Sequence, residues 1–130
     1  MNINEKAEFA ANLKLSGKAN CCQAVLLALK EETGLDDDQL KSLGAGFCAG
    51  MGNLSATCGS LVGAVMALGL KTKGEGSLRL VRLVNEEFQN TSGAIKCKDL
   101  KTITNGKPLC PCDDCVRNAI KAYGNIVNNK

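Results

Sequence analysis

Apolar residues recur at helical spacing in the first part of the chain and predict three helices there. The first covers Ile3–Leu15, where apolar side chains alternate with charged ones. The second starts at Asn20, which forms a capping-box pattern with Gln23, and it stops at Gly34. The third is shorter and runs over residues 36–43, because three aspartates favour a helix start.

The second part of the chain predicts three further helices after a glycine-rich loop at residues 44–59. The first of them, Thr57–Lys71, contains the longest apolar run and is the central helix of the predicted fold. The next covers Ser77–Gln89, and the last starts at Cys112 or Asp113 and ends near residue 127. The intervening segment reads as loop with one helical turn at "KCKDL", and no segment shows strand alternation.

This pattern predicts an all-α fold class: a single-domain helical bundle of about five to six helices over residues 1–130. Composition supports it, since one Tyr, three Phe and no Trp suit packed helices better than a sheet. The net charge of +3 comes from scattered lysines and leaves no nucleic-acid footprint. The longest apolar run, Leu61–Leu70, has ten residues and is too short for membrane insertion. We expect a cytoplasmic protein.

Eight cysteines and no histidine define the candidate chemistry. Without histidine, Cys–His catalytic pairs and mixed Cys/His zinc sites are excluded. Cys21, Cys58 and Cys112 each fall at a predicted helix start, where the helix dipole favours a thiolate. All three lie on apolar stripes and so point inward, which leads to the hypothesis that they converge on one site.

The cysteine-bearing segments resemble the C-GCAxxG-C-C family of putative redox-active proteins. "NCCQAVL", "TCGSLVGAVMALGL", "IKCKDL" and "CDDCVRNA" are similar to the four elements of the family motif, in the same order. The resemblance places the family cysteines at Cys21, Cys58, Cys97 and Cys112, with Cys115 as the alternative to the last. Departures are Ser60, where the motif has alanine, and the four extra cysteines, at positions 22, 48, 110 and 115.

Three functions remain open from the sequence. The resemblance implies redox activity, with Cys21, Cys58, Cys97 and Cys112 as catalytic thiols in thiol–disulfide exchange or electron transfer. An alternative is a metal centre with Cys21, Cys58, Cys97, Cys112 and Cys115 as ligands, an iron–sulfur cluster being favoured over zinc.

The third function is a non-catalytic interaction module in which the cysteines only pack. Its partner surface would be the small-residue face of Gly59, Gly63 and Ala67, which equally suits a close helix crossing inside the bundle. Gly59 and Gly63 are also the candidate cofactor contacts, because glycine admits close backbone approach. The "CDDC" spacing is typical of oxidoreductases, although its aspartates oppose thiolate formation. A redox partner is expected but not identified, and a homo-oligomer stays open.

Overall fold

The computed structural model describes residues 1–128, and it confirms the all-α fold class. Its eight α-helices are α1 Ile3–Leu15, α2 Cys21–Ala28, α3 Lys30–Thr33, α4 Asp37–Gly44, α5 Gly59–Thr72, α6 Ser77–Ser92, α7 Cys97–Leu100 and α8 Cys112–Asn128. A 3-10 turn (Ala45–Phe47) and a π turn (Gly50–Leu54) lie in the glycine-rich segment between α4 and α5.

The predicted capping box at the start of α2 is confirmed, and it also fixes α2 against α4. The Asn20 side chain accepts a hydrogen bond from the Gln23 N–H at 2.8 Å, and the Gln23 side chain accepts one from the Asn20 N–H at 2.9 Å. The Asn20 amide donates in turn to the carbonyl oxygen of Gly44 at 3.2 Å. The start of α2, where Cys21 lies, is therefore fixed by its own capping box and by a hydrogen bond to the end of α4.

Two details differ from the sequence prediction. The helix predicted from Asn20 to Gly34 is broken at Leu29, whose backbone leaves the helical region at φ −97° and ψ 19°. The expectation of no strand is wrong, because a short antiparallel hairpin pairs β1 (Ile103–Thr104) with β2 (Lys107–Pro108). Its turn is Asn105–Gly106, both at positive φ, which is the turn that Asn-Gly favours between two strands.

Helix α8 is the centre of the bundle. It packs against α1, α6, α5 and α2, and α2 also packs against α5. The largest fully buried side chains include Tyr123, Phe88, Leu61, Ile120 and Leu29. The beginnings of α2, α5 and α8 are thus brought to a common region. None of the helices within residues 1–128 combines the length and apolarity that crossing a membrane requires.

The small-residue face of α5 is used inside the bundle. A Cβ atom on Gly63 would lie 3.0 Å from the carbonyl oxygen of Cys22 and 3.1 Å from the Val25 Cβ. A Cβ atom on Gly59 would collide with the carbonyl oxygen of Phe47. These two glycines therefore serve close packing between α5, α2 and the glycine-rich segment, and a cofactor contact at them stays a prediction.

Candidate functional site

Four cysteines lie at the beginning of four different helices. Cys21, Cys97 and Cys112 are the first residues of α2, α7 and α8, and Cys58 is the N-cap residue of α5. Backbone N–H groups at a helix start lack intrahelical partners, and together with the helix dipole they favour negative charge. The sequence placed Cys58 inside its helix and left Cys97 in a loop with one helical turn, so the shared position of all four is a structural finding.

Main-chain hydrogen bonds hold Cys58 beside Cys97. The N–H of Cys58 donates to the carbonyl oxygen of Ile95 at 2.8 Å, and the N–H of Cys97 donates to that of Ala56 at 3.0 Å. Gly50 packs closely against Cys97: a Cβ atom on Gly50 would lie 2.8 Å from the Cβ atom of Cys97. The segment before α5, the segment before α7 and the glycine-rich loop therefore form one packed unit around these two thiols.

Cys21 and Cys112 form what we call the outer pair. Their thiols lie within hydrogen-bonding reach of each other, and the Lys101 ammonium lies within reach of Cys112. Lys14 adds a second positive charge near both thiols. Cys21 is buried and Cys112 is half-buried, so Cys112 is the member of the pair that solvent reaches.

The surroundings of the outer pair separate the ionisation of its two thiols. The hydrogen bond from Cys21 lowers the pKa of Cys112 to about 5, and Lys101 acts in the same direction, against the effect of burial. The same hydrogen bond raises the pKa of Cys21, and burial raises it further. These shifts favour the thiolate at Cys112 and the neutral thiol at Cys21, with Cys21 as the hydrogen-bond donor.

Cys58, Cys110 and Cys115 form a second group, the inner thiols, all of them buried. Cys115 lies within hydrogen-bonding reach of both other sulfurs, and its Sγ also donates to the carbonyl oxygen of Cys110 at 3.5 Å. The Asn118 amide donates to the Cys110 sulfur at 3.8 Å. The inner thiols therefore meet at Cys115, one helical turn after Cys112.

The inner thiols are also divided in their ionisation. The hydrogen bond from Cys115 lowers the pKa of Cys58 to about 6, and the backbone N–H groups of Ser60 and Leu61 support the thiolate against the effect of burial. Hydrogen bonds to Cys110 and Cys58, together with burial, raise the pKa of Cys115. The N-terminus of α5 thus holds a thiolate, and α8 supplies its proton donor.

The three remaining cysteines are placed differently. Cys97 is buried near Cys58 and Cys112, and burial raises its pKa. Cys22 lies in a small apolar group with Leu26 and Leu40, and burial, followed by the nearby Cys58 and Cys48 thiols, raises its pKa to about 12. Cys48 is half-buried in the glycine-rich segment.

The structure pairs Cys21 with Cys112 and Cys58 with Cys115, and Cys97 lies near Cys58 and Cys112. A single site shared by Cys21, Cys58 and Cys112 stays a prediction. Cys112 and Cys115, the two alternatives for the last family cysteine, lie three residues apart on α8, Cys112 in the outer pair and Cys115 among the inner thiols, and the choice between them stays open. The catalytic roles themselves stay predictions. Sequence reasoning missed Lys101, because no local signal connects this lysine to a cysteine eleven residues later in the chain. It gave Cys110 only as an extra cysteine outside the family pattern.

The donor geometry does not fit the metal alternative. Within residues 1–128, no group of three or more Cys, Asp or Glu side chains is arranged so that it could hold a metal ion. A zinc site or an iron–sulfur cluster needs a convergent set of thiolates, typically four. The proposed ligands Cys21, Cys58, Cys97, Cys112 and Cys115 do not form such a set, and no step below involves a metal.

A family model described as "putative redox-active protein (C_GCAxxG_C_C)" matches residues 19–126 of the 130. The chain belongs to the C-GCAxxG-C-C family. Neither a curated protein nor a solved structure matches it. The family match covers every outer and inner thiol, from Cys21 in α2 to Cys115 in α8.

Outside the family pattern, Arg117 weakens the sequence-based objection to the "CDDC" segment. Its guanidinium pairs with Asp113 at 2.6 Å and Asp114 at 3.0 Å, and it also reaches Glu8 of α1 at 2.9 Å. The charge of the two aspartates next to Cys112 is therefore offset in part by a neighbour at i+3 and i+4 on the same helix. Their charge opposes the Cys112 thiolate less than the sequence implied.

Ser60, where the C-GCAxxG-C-C motif has alanine, is the one buried side chain among the described residues whose polar atom has no hydrogen-bond partner. Its Oγ lies beside Cys58, and a hydroxyl there donates to a Cys58 thiolate. An unpartnered buried hydroxyl costs about 1–3 kcal/mol. Ser60 is therefore costly beside a neutral Cys58 and favourable beside an ionised one.

We expect Ser60→Ala to stabilise the reduced protein by about 1 kcal/mol below pH 6, where Cys58 is protonated. A lowered pKa in the folded state contributes stability above the unfolded pKa, and this contribution is lost as pH falls through about 6. Ser60→Ala removes one donor to the Cys58 thiolate and so weakens that contribution to stability. The stabilisation by Ser60→Ala should therefore shrink or reverse by pH 8.

Urea unfolding of the wild type and of Ser60→Ala under reductant measures the difference in the free energy of unfolding at pH 5 and at pH 8. In a Cys58→Ala background the Ser60→Ala effect should become independent of pH. An unchanged pH dependence in that background would show that another group is responsible.

Proposed function

We propose that this protein is a cytoplasmic thiol–disulfide exchange protein in which Cys112 is the attacking thiol and Cys21 the resolving thiol. The observation that supports it most is the environment of Cys112. It is half-buried, lies at the start of α8, and has both a thiol donor and a lysine cation beside it. A thiolate that solvent reaches and that a second thiol contacts is the arrangement such exchange needs.

The reaction begins when the Cys112 thiolate attacks one sulfur of a substrate disulfide. A bond forms between Cys112 and that sulfur, and the other substrate sulfur leaves as a thiolate. Cys21 then attacks Cys112 Sγ, the second substrate thiolate leaves, and the Cys21 proton passes to it. The outer pair ends as a disulfide, having given two electrons to the substrate, and the reverse sequence oxidises a substrate dithiol.

Lys101 has two roles in this scheme. Its ammonium stabilises Cys112 as the attacking thiolate. In the last step of the reverse direction, when the second substrate thiol attacks the substrate sulfur of the mixed disulfide, it stabilises the same thiolate as the leaving group. Lys14 adds a second positive charge near both thiols of the outer pair. The substrate class we favour is therefore a disulfide flanked by carboxylates, delivered by a redox partner.

Peptide mapping by mass spectrometry tests the proposed thiols directly. In reduced protein at pH 6, a brief iodoacetamide pulse should label Cys112 ahead of Cys48, the other half-buried cysteine. Mild oxidation should then link Cys21 to Cys112, because these two thiols contact each other. The link should be reversed by dithiothreitol.

Two matched variants separate exchange from packing, since both remove a half-buried thiol. Cys112→Ser should lose the reduction of 5,5′-dithiobis(2-nitrobenzoic acid) at pH 6 almost completely, whereas Cys48→Ser should keep it. Equal loss in both variants, or none in either, would contradict the assignment of Cys112.

A further inference from the structure

The inner thiols are not used by the exchange at the outer pair. Cys58, Cys110 and Cys115 are 1%, 4% and 0% exposed, so a substrate disulfide does not reach them. Their link to the surface is α8 itself, on which Cys115 follows Cys112 by three residues. Residues three apart on a helix lie on the same face, with Cβ atoms about 5–6 Å apart.

We propose that Cys58 and Cys115 are a second redox site, which the disulfide of the outer pair oxidises by transfer through Cys115. The inference rests on the proposed exchange at Cys112, which supplies the first disulfide. After one transfer the outer pair is a dithiol again and can react a second time. The protein would then hold two disulfides, Cys21–Cys112 and Cys58–Cys115, and exchange four electrons in all.

The first transfer step is an attack by Cys115 on the outer disulfide. Cys115 attacks Cys112 Sγ while its proton passes to the Cys58 thiolate, which lies within hydrogen-bonding reach and acts as the base. A Cys112–Cys115 bond forms, and Cys21 leaves as a thiolate. Disulfide Cβ atoms are about 3.5–4.5 Å apart, so the first turn of α8 must tighten by about 1–2 Å.

The second step moves the disulfide inward. Cys58 gives up its proton, which is taken by Cys21, and attacks Cys115 Sγ. A Cys58–Cys115 bond forms, and Cys112 leaves as the thiolate that Lys101 stabilises. The outer pair has gained two electrons and the inner pair has lost two, and one proton has moved from Cys115 to Cys21.

Cys58 rather than Cys110 is the partner because of the helix start at which it lies. The N–H groups of Ser60 and Leu61 support a thiolate at Cys58. Cys110 precedes α8 and does not lie at a helix start; its carbonyl oxygen accepts from the Cys115 thiol at 3.5 Å. Alanine keeps this main-chain carbonyl, so Cys110→Ala is the matched control.

A time course of disulfide mapping tests the transfer on the full chain. Reduced protein receives one equivalent of oxidised glutathione, samples are quenched in acid with N-ethylmaleimide, and linked peptides are identified by mass spectrometry. We expect Cys21–Cys112 to form first and to decline as Cys58–Cys115 accumulates. A second equivalent should restore the Cys21–Cys112 link without loss of the inner one.

Three variants identify the steps. Cys115→Ala should stop at Cys21–Cys112, Cys58→Ala should accumulate the Cys112–Cys115 intermediate, and Cys110→Ala should still reach Cys58–Cys115. Circular dichroism before oxidation verifies that each variant is folded. If one of Cys115→Ala and Cys58→Ala does not fold, the other still tests the transfer. The wild-type time course does not depend on any of them.

The outcomes separate this inference from the proposed function. A stable Cys21–Cys112 link with the inner thiols still free in wild type would overturn the transfer and leave the exchange at Cys112 intact. Absence of any Cys21–Cys112 link, in wild type and in Cys115→Ala, would overturn both. A Cys110–Cys115 product would overturn the assignment of Cys58.

Discussion

Replacing Lys101 with methionine should move the pH dependence of Cys112 alkylation to higher pH. The Lys101 ammonium is the nearest cation to the Cys112 sulfur, whose pKa is lowered to about 5 by Cys21 and Lys101 together. A hydrogen bond to a charged group is worth about 1.5–3 kcal/mol, which corresponds to a tenfold or greater change in acid dissociation. Methionine keeps the length of the side chain and removes this interaction.

The expected signature is a pH–rate profile that crosses that of the wild type. At pH 5 the variant should react several-fold more slowly with iodoacetamide, because less of Cys112 is a thiolate. At pH 9 it should react faster, because a thiolate of higher pKa is the better nucleophile once it is fully formed. Mass spectrometry of the Cys112 peptide gives the rate at each pH.

Lys98→Met is the matched control. Lys98 lies exposed on α7, and its replacement removes the same charge from the same segment. Its profile should superimpose on that of the wild type. If both variants shift equally, the effect is one of net charge and the contact between Lys101 and Cys112 is not responsible.

Replacing Gly59 with alanine should destabilise the reduced protein by roughly 3 kcal/mol, near the upper end of the usual cost of overpacking. The new Cβ would collide with the Phe47 carbonyl oxygen and would lie 3.4 Å from the Cys22 N–H nitrogen. Both neighbours are main-chain atoms, which cannot rotate away as the end of a long side chain can. Relief requires α5 to move from the glycine-rich segment, and Cys58 moves with it.

Gly69→Ala is the matched control on the same helix. Nothing lies within 4 Å of a Cβ atom at Gly69, so alanine there should stabilise α5 by about 0.5–1 kcal/mol through its higher helix propensity. Urea unfolding of both variants gives the two free energies. Destabilisation of similar size in both would mean that the close approach at Gly59 is not the cause.

Several features of the site could be predicted from local sequence. The Asn20–Gln23 capping box fixed the start of α2 and with it the position of Cys21, because its hydrogen bonds join residues three apart. The small residues at Gly59 and Gly63 predicted a close approach that the structure confirms. The Asn105–Gly106 pair is an equally local signal for a hairpin turn. It did not lead to a predicted hairpin, because the mostly polar residues around it show no strand alternation.

Other features had no local signal. The contact between Cys58 and Cys115 joins residues far apart in the chain, and so does the contact between Cys21 and Cys112. Helical periodicity placed each thiol on an inward face but could not say which helix starts are neighbours. The pairing of Arg117 with both aspartates was within reach of sequence reasoning, since it follows from i+3 and i+4 spacing.

By itself, the sequence determined where most of the helices begin, which faces are apolar, and that the chain matches the family motif at four cysteines. These properties depend on short-range hydrogen bonds and on side-chain periodicity, which are encoded within a few residues. Only the tertiary structure decided how the thiols group into an outer pair and a buried inner set. That grouping follows from the packing of α2 on α5 and of both on α8, which joins apolar faces distant in the chain.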